Sequence, residues 1–348
     1  ASPSRPRPSL PTPTLPPGGW SRRLLMNSHF SNEQDNDETF EQILYAPTNN
    51  PALPISHALE KLREEIVLKG IPATSQEEEY LLRVESKSTT RGKTWKILLG
   101  AHEITFQEYM DLVALGQSSS HSKIEDDAFR TFASDSEFCA RVQQCKLVRV
   151  LNAVIHQAER KRSRDQVVVY VQGMNAICGI VLLELNEIDA TALLLALLEK
   201  HCPLYLNSTL DSVYIGCMLV DQVLHIVDVD LFKFLSKFKL SGQIYCFPWL
   251  LSLGSCWSPH SEAVKLFDFL FAKGVHWIVM CSVARVVSLR ADLFASDRPM
   301  KVFQKLPPYD ATENICEAKL FWSKLSSQQQ KVIEKHPYDA CSAMEDWE

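Results

Sequence analysis

The run 138–158 reads Phe-Cys-Ala-Arg-Val-Gln-Gln-Cys-Lys-Leu-Val-Arg-Val-Leu-Asn-Ala-Val-Ile-His-Gln-Ala. Val142, Leu147, Val150, Leu151, Val154 and Ile155 recur at helical spacing, separated by long polar side chains that suit a wet face. The pattern predicts an amphipathic helix over 138–158, and the same reading spreads outward from it. Upstream, Leu59, Leu62, Ile66 and Val67 share a face, and Gly70 before Ile71-Pro72 stops that helix. Trp95-Lys96-Ile97-Leu98-Leu99-Gly100 is a short apolar segment closed by glycine, residues 106–115 offer another helical face, and 117–122 read as a plain loop. Downstream, the leucine density of 190–198 marks a buried helix and 211–227 repeats the periodic pattern. Asp230 is the natural N-cap of a helix whose Leu231, Phe234, Leu235 and Phe238 lie on one face and Lys233 and Lys237 on another. Residues 262–273 close on Gly274, and 275–289 continue the series. About ten helices with no repeat of fixed period make an all-α chain. One run resists: Gln166-Val167-Val168-Val169-Tyr170-Val171 has the β-branched content of a strand. A lone strand would leave its backbone groups without partners, so the neighbourhood favours a loop running into a helix.

With 348 residues and 46% apolar content the chain can bury a substantial core. A net charge of -6 supplies no overall field of the kind that marks a nucleic-acid or anionic-membrane binder. The ten cysteines are scattered from Cys139 to Cys341, many inside apolar runs such as Ile215-Gly216-Cys217-Met218-Leu219, and read as small core residues in a reducing compartment. The start, Ala1-Ser2-Pro3-Ser4-Arg5-Pro6-Arg7, lacks the apolar core of a signal peptide, and no stretch approaches the roughly 18 apolar residues of a membrane span, so a cytosolic or nuclear protein is expected. Proline, serine and threonine dominate residues 1–19 and polar residues the next thirty, a composition that cannot offset its ordering entropy. The first methionine, Met26, lies inside this stretch and points to processing or a gene-model boundary upstream. The expected organisation is a disordered tail over 1–54, a helical lead-in over 55–89, one main domain over 90–310, and a short helical and polar tail over 311–348.

Two segments carry chemistry: Lys123-Ile124-Glu125-Asp126-Asp127-Ala128-Phe129-Arg130-Thr131-Phe132 and Tyr170-Val171-Gln172-Gly173-Met174-Asn175. They resemble the paired motifs of TBC (Rab-GAP) domains. Ile124, Asp127 and Arg130 match the family's Ile-x-x-Asp-x-x-Arg, and Tyr170, Gln172, Gly173 and Met174 match its Tyr-x-Gln-Gly-Met. Trp95 to Gly100 is similar to the family's opening segment and Leu266-Phe267-Asp268 to its late Leu-Trp-Asp block, so the likeness covers about 62–308. The wording around Phe129-Arg130-Thr131, together with His201-Cys202-Pro203-Leu204-Tyr205 and Phe247-Pro248-Trp249, resembles the fungal mitotic-exit and septation regulators. Val169, where many members have glycine, and Phe267, where they have tryptophan, depart from the pattern.

The resemblance implies a GTPase activator of all-α TBC fold, not itself an enzyme, that needs no cofactor or metal. Its partner would be a Ras- or Rab-like GTPase in the GTP-bound form, engaged with a separate scaffold subunit, in the cytoplasm and at the spindle pole body. Arg130 would be an arginine finger and Gln172 would replace the GTPase's own glutamine. Asp127 would orient Arg130, Gly173 would let the backbone approach a neighbouring surface, and Ile124, Tyr170 and Met174 would anchor the two segments. The residue types suit the task, because hydrolysis needs charge on the transferring phosphoryl group stabilised and a water held in line. A guanidinium fork matches phosphate oxygens, and a glutamine amide can accept from water while donating to phosphate.

Plainer readings stand beside these. Arg130 alone would be a surface arginine paired with Asp126 or Asp127, and Gln172 alone a helix cap. The basic run Arg160-Lys161-Arg162-Ser163-Arg164, flanked by Glu159 and Asp165, reads as a solvated helix end rather than a nucleic-acid patch. Cys256 and His260 stand four apart with no second pair to complete a metal site. The rival function is a non-catalytic GTPase-binding module or scaffold of the same fold.

Overall fold

A computed structural model describes residues 55–160, 170–205, 209–339 and 347. Among them are nineteen α-helices and no strand. The first seven are α1 (Ile55–Lys69), α2 (Gln76–Glu85), α3 (Thr90–Leu98), α4 (Phe106–Ala114), α5 (His121–Arg130), α6 (Ser136–Arg141) and α7 (Gln144–Arg160). The next six are α8 (Met174–Leu182), α9 (Glu187–Ala196), α10 (Asp211–Val227), α11 (Val229–Lys237), α12 (Gly242–Tyr245) and α13 (Phe247–Leu251). The last six are α14 (His260–Lys273), α15 (Ile278–Ser288), α16 (Arg290–Ala295), α17 (Pro299–Gln304), α18 (Ala311–Trp322) and α19 (Ser327–Lys335). The expected tail over 1–54 and residues 161–164 of the basic run lie outside the described residues, as does Cys341; the other nine cysteines are free thiols.

Every residue of α8 is buried, which fits a segment whose only polar side chain is Asn175. An all-round apolar helix belongs in the middle of a fold, and α8 touches α5, α7, α9 and α14. Around this centre α1 packs on α14, α10 on α15, and α15 on α18. Leu62 and Ile66 of α1 and Ala318, Phe321, Val332 and Ile333 of α18 and α19 join the same core as Ile177 and Ile180 of α8. Local chemistry starts the peripheral helices: Ser75 with Glu78, Thr105 with Glu108 and Ser326 with Gln329 form capping boxes at α2, α4 and α19.

A buried polar cluster joins α3 to α14 and to the turn after α8. Asp268 accepts from Trp95 Nε1 at 2.7 Å and pairs with Arg91 Nε at 3.3 Å, while Glu184 accepts from Thr74 and Thr89, both at 2.7 Å. Arg91 Nη2 also donates to the Ile71 carbonyl at 2.9 Å. Burial pushes the Asp268 carboxyl up to about 6, against the pull of Arg91. Phe267 is fully buried against Trp95 and Phe271.

Four sequence expectations are corrected. The helix over 138–158 is two helices, because Val142 is extended (φ −116°, ψ 110°) between α6 and α7. Val142, in the break, and Leu147, in the first turns of α7, are both buried. The cap of α11 is Asp228, not Asp230: an N-cap carboxylate must reach the N3 amide, and Asp228 accepts from Leu231 N at 3.0 Å. The loop over 117–122 ends at Ser120, and it is not plain, since the amide of Ser118 donates to Asn152 Oδ1 of α7 at 2.9 Å. The helix count nearly doubles because pieces as short as α12 and α13 contain too little sequence to show a period. Of the run 166–171 only Tyr170 and Val171 are described, and both are non-helical residues leading towards α8.

Candidate functional site

α5 is strongly two-faced. Ile124, Asp127 and Ala128 are buried, and Phe129 and Arg130 at its last two positions are exposed. The helix stops there because Thr131 turns extended and Phe132 adopts a left-handed backbone, φ +49°. That conformation is costly for a bulky residue. Packing holds it: the Phe132 ring lies 3.8 Å from the His260 ring and 5.0 Å, edge-on, from Phe138. Arg130 therefore stands at the C-terminal end of α5, where the helix dipole favours a cation.

Asp127 connects the two motif segments. Its Oδ1 pairs with Arg130 Nη2, and its Oδ2 accepts from the Tyr170 hydroxyl at 2.7 Å. The Arg130 side chain is 58% exposed and that of Asp127 only 6%, so a buried carboxylate holds a solvent-facing guanidinium. Burial, reinforced by the bond to Asp127, raises the Tyr170 hydroxyl above its ordinary value and keeps it a donor.

Gln172 is exposed in the turn between Val171 and Gly173. That turn is fixed from below. Met174 is buried and its amide donates to the Val171 carbonyl at 3.1 Å, while the Val171 amide points at Met174 Sδ, 3.4 Å away. Gly173 sits at φ +118°, and a Cβ there would lie 3.2 Å from Leu251 Cγ. Glycine serves both the backbone angle and the close approach of α13.

A second set of bonds runs beneath the first. The Gly173 amide donates to Asn175 Oδ1 at 2.9 Å, Asn175 Nδ2 donates to Thr131 Oγ1 at 2.9 Å, and the Thr131 hydroxyl donates to the Asp127 carbonyl at 2.7 Å. Both Thr131 and Asn175 are buried. Ile124, Asp127, Tyr170 and Met174 are buried beneath the exposed Arg130 and Gln172, and Gly173 is half-buried beside them. Thr131 and Asn175 were not singled out by sequence; the available signal was a polar residue directly after the arginine and another inside an otherwise apolar helix. His260, paired with Cys256 in the metal reading, instead approaches Asp135 Oδ2 at 2.5 Å, and no group of three or more ligating side chains stands together among the described residues.

The described residues thus form an all-helical domain that shows solvent an arginine and a glutamine from two cross-linked segments. A profile of the Rab-GTPase-TBC domain family matches residues 88–294, and the chain belongs to that family, whose members activate small GTPases. Within it, the chain is 32% identical over 300 residues to the Saccharomyces cerevisiae mitotic check point protein BUB2, covering 84% of this chain and 95% of that protein. It is 34% identical over 254 residues to cell division control protein 16 of Schizosaccharomyces pombe, covering 73% and 82%. The crystal structure of the Ypt/Rab-GAP domain of Gyp1p shares the fold, with a TM-score of 0.64 at 16% identity over 84% of this chain and 99% of that one. No helix among the described residues is long and apolar enough to cross a membrane.

Proposed function

We propose that this chain accelerates GTP hydrolysis by a Ras- or Rab-like GTPase by placing Arg130 and Gln172 in the GTPase's active site. The observation that carries the reading is the exposed Arg130 held by the buried Asp127, which also receives the hydroxyl of Tyr170 from the glutamine segment. The guanidinium would neutralise charge developing on the transferring phosphoryl group, and the amide of Gln172 would orient the attacking water. An arginine finger given in trans is worth about a thousandfold to a hundred-thousandfold in rate, or about 4 to 7 kcal/mol. Asp127 reduces the rotamer freedom that a long side chain would otherwise lose on docking.

The relatives named for mitotic check point and cell division control support a role in restraining mitotic exit or septation. In that role the chain would act with a separate scaffold subunit at the spindle pole body, through a domain spanning about 90–310. The test is single-turnover GTP hydrolysis by a panel of septation-type and Rab GTPases, with the full chain alone and with a candidate scaffold. The expected result is a large acceleration of one GTPase that falls by about 10³-fold or more in Arg130→Ala. Binding to the GTP-bound form without acceleration would assign the chain instead as a recognition module.

A further inference from the structure

Resting on the two-finger reading, we propose that Thr131 and Asn175 are positioning residues that set the Gln172 turn in register with the end of α5. Both residues are buried, Thr131 6% and Asn175 9% exposed, so neither offers a GTPase more than a sliver of surface. Each instead bonds to both displaying segments. The Thr131 hydroxyl has one proton, spent on the Asp127 carbonyl, and its lone pair receives Asn175 Nδ2. The Asn175 amide has one oxygen, which receives the Gly173 amide next to Gln172. The direction of every bond is therefore fixed: Gly173 to Asn175, Asn175 to Thr131, Thr131 to Asp127.

This chain is distinct from the Tyr170–Asp127–Arg130 contacts. Those reach the arginine's side chain, whereas Thr131 and Asn175 join backbone to backbone, from the amide after Gln172 to the carbonyl of Asp127, one helical turn before Arg130. The Gly173 angle of +118° takes the turn off a helical path, and Asn175 Oδ1, beside the Met174 contacts with Val171, restrains the peptide that follows Gln172. A displaced catalytic group loses rate rather than binding. Breaking the link should act on the chemical step through Gln172 and leave recognition of the GTPase intact.

The experiment uses the full chain and whichever GTPase in the panel it accelerates most, measuring kcat and KM of activated hydrolysis for Thr131→Val, Thr131→Ser, Asn175→Ala and Gln172→Ala, and for Thr131→Val combined with Gln172→Ala. Thr131→Val keeps the shape and removes both bonds. It is expected to lower kcat about 10- to 100-fold with KM within about threefold of the parent, and Thr131→Ser to restore most of the loss. In the Gln172→Ala background the same substitution should cost less than about threefold, because the group it positions is gone. Asn175→Ala should behave as Thr131→Val does, and thermal unfolding identifies a variant that has merely failed to fold, in which case Thr131→Ser against Thr131→Val decides. An equal loss with and without Gln172, or a loss confined to KM, would overturn the proposal. If Gln172→Ala and Arg130→Ala both match the parent, the two-finger reading itself fails and this inference falls with it; if they are inactive while Thr131→Val is unaffected, only the positioning role is lost.

Discussion

Tyr170 gives its hydroxyl to the carboxylate that holds Arg130, at 2.7 Å and away from solvent. Removing it in Tyr170→Phe leaves that carboxylate oxygen short of a donor, and a hydrogen bond to a charged group contributes about 1.5–3 kcal/mol. Urea unfolding should show a loss of that size, with activation weakened less than in Arg130→Ala. Gly173→Ala forces a side chain into a left-handed backbone and against Leu251 Cγ at 3.2 Å. It should cost about 1 kcal/mol or more of stability and lower the activated rate, measured by the same unfolding and hydrolysis assays. At this scale Arg130, Asp127 and Gln172 stand out through the resemblance of the two segments to the TBC motifs, since an arginine or a glutamine alone has many ordinary uses. The sequence is silent on Thr131 and Asn175, since only the fold shows that each bridges the same two segments.

α5 and α8 differ in how far they could be read. Of α8 only its existence is legible, as the helix that the 166–171 run leads into; its central place is not, because periodicity reports a face and not a neighbour. The division between α6 and α7 rests on the extended backbone of Val142, which the apolar spacing on either side does not betray. α12 and α13 were illegible, being short turns held by tertiary contact with α10. α3 is fixed by close approach: a Cβ on Gly92 would meet the Glu184 carbonyl oxygen and Leu185 Cδ2, each at 2.5 Å. Alanine is the better helix former, yet Gly92→Ala should destabilise by about 1–3 kcal/mol, because backbone cannot retreat as a side chain can. A lower Tm with an unchanged helical circular dichroism spectrum is the expected observation.

For the whole molecule, α18 and α19 are core and their loss should be felt throughout. A chain truncated after Pro308 loses Phe321, Val332 and Ile333, and leaves Tyr205 without the His336 ring nitrogen that accepts its hydroxyl at 2.7 Å. It should lack a cooperative thermal transition. His336 and His276 make the fold acid-sensitive. Burial lowers them to about 4 and about 3, so between pH 7 and pH 5 the unfolded chain, with ordinary imidazoles near 6.5, takes up protons that the folded chain refuses. Stability must therefore fall as the pH falls, by about 2 kcal/mol for each histidine, while Asp268, raised by burial, returns about 1 kcal/mol. A Tm that drops from pH 7 to pH 5, and drops less in His336→Gln, is the expected outcome. The central claim concerns two molecules together, and its most direct test substitutes the GTPase and not the activator. With the GTPase's own water-orienting glutamine changed to alanine, activation by this chain should survive within a few-fold and vanish on Gln172→Ala, because Gln172 takes over that role. Activation abolished by the GTPase substitution yet indifferent to Gln172→Ala would contradict the account.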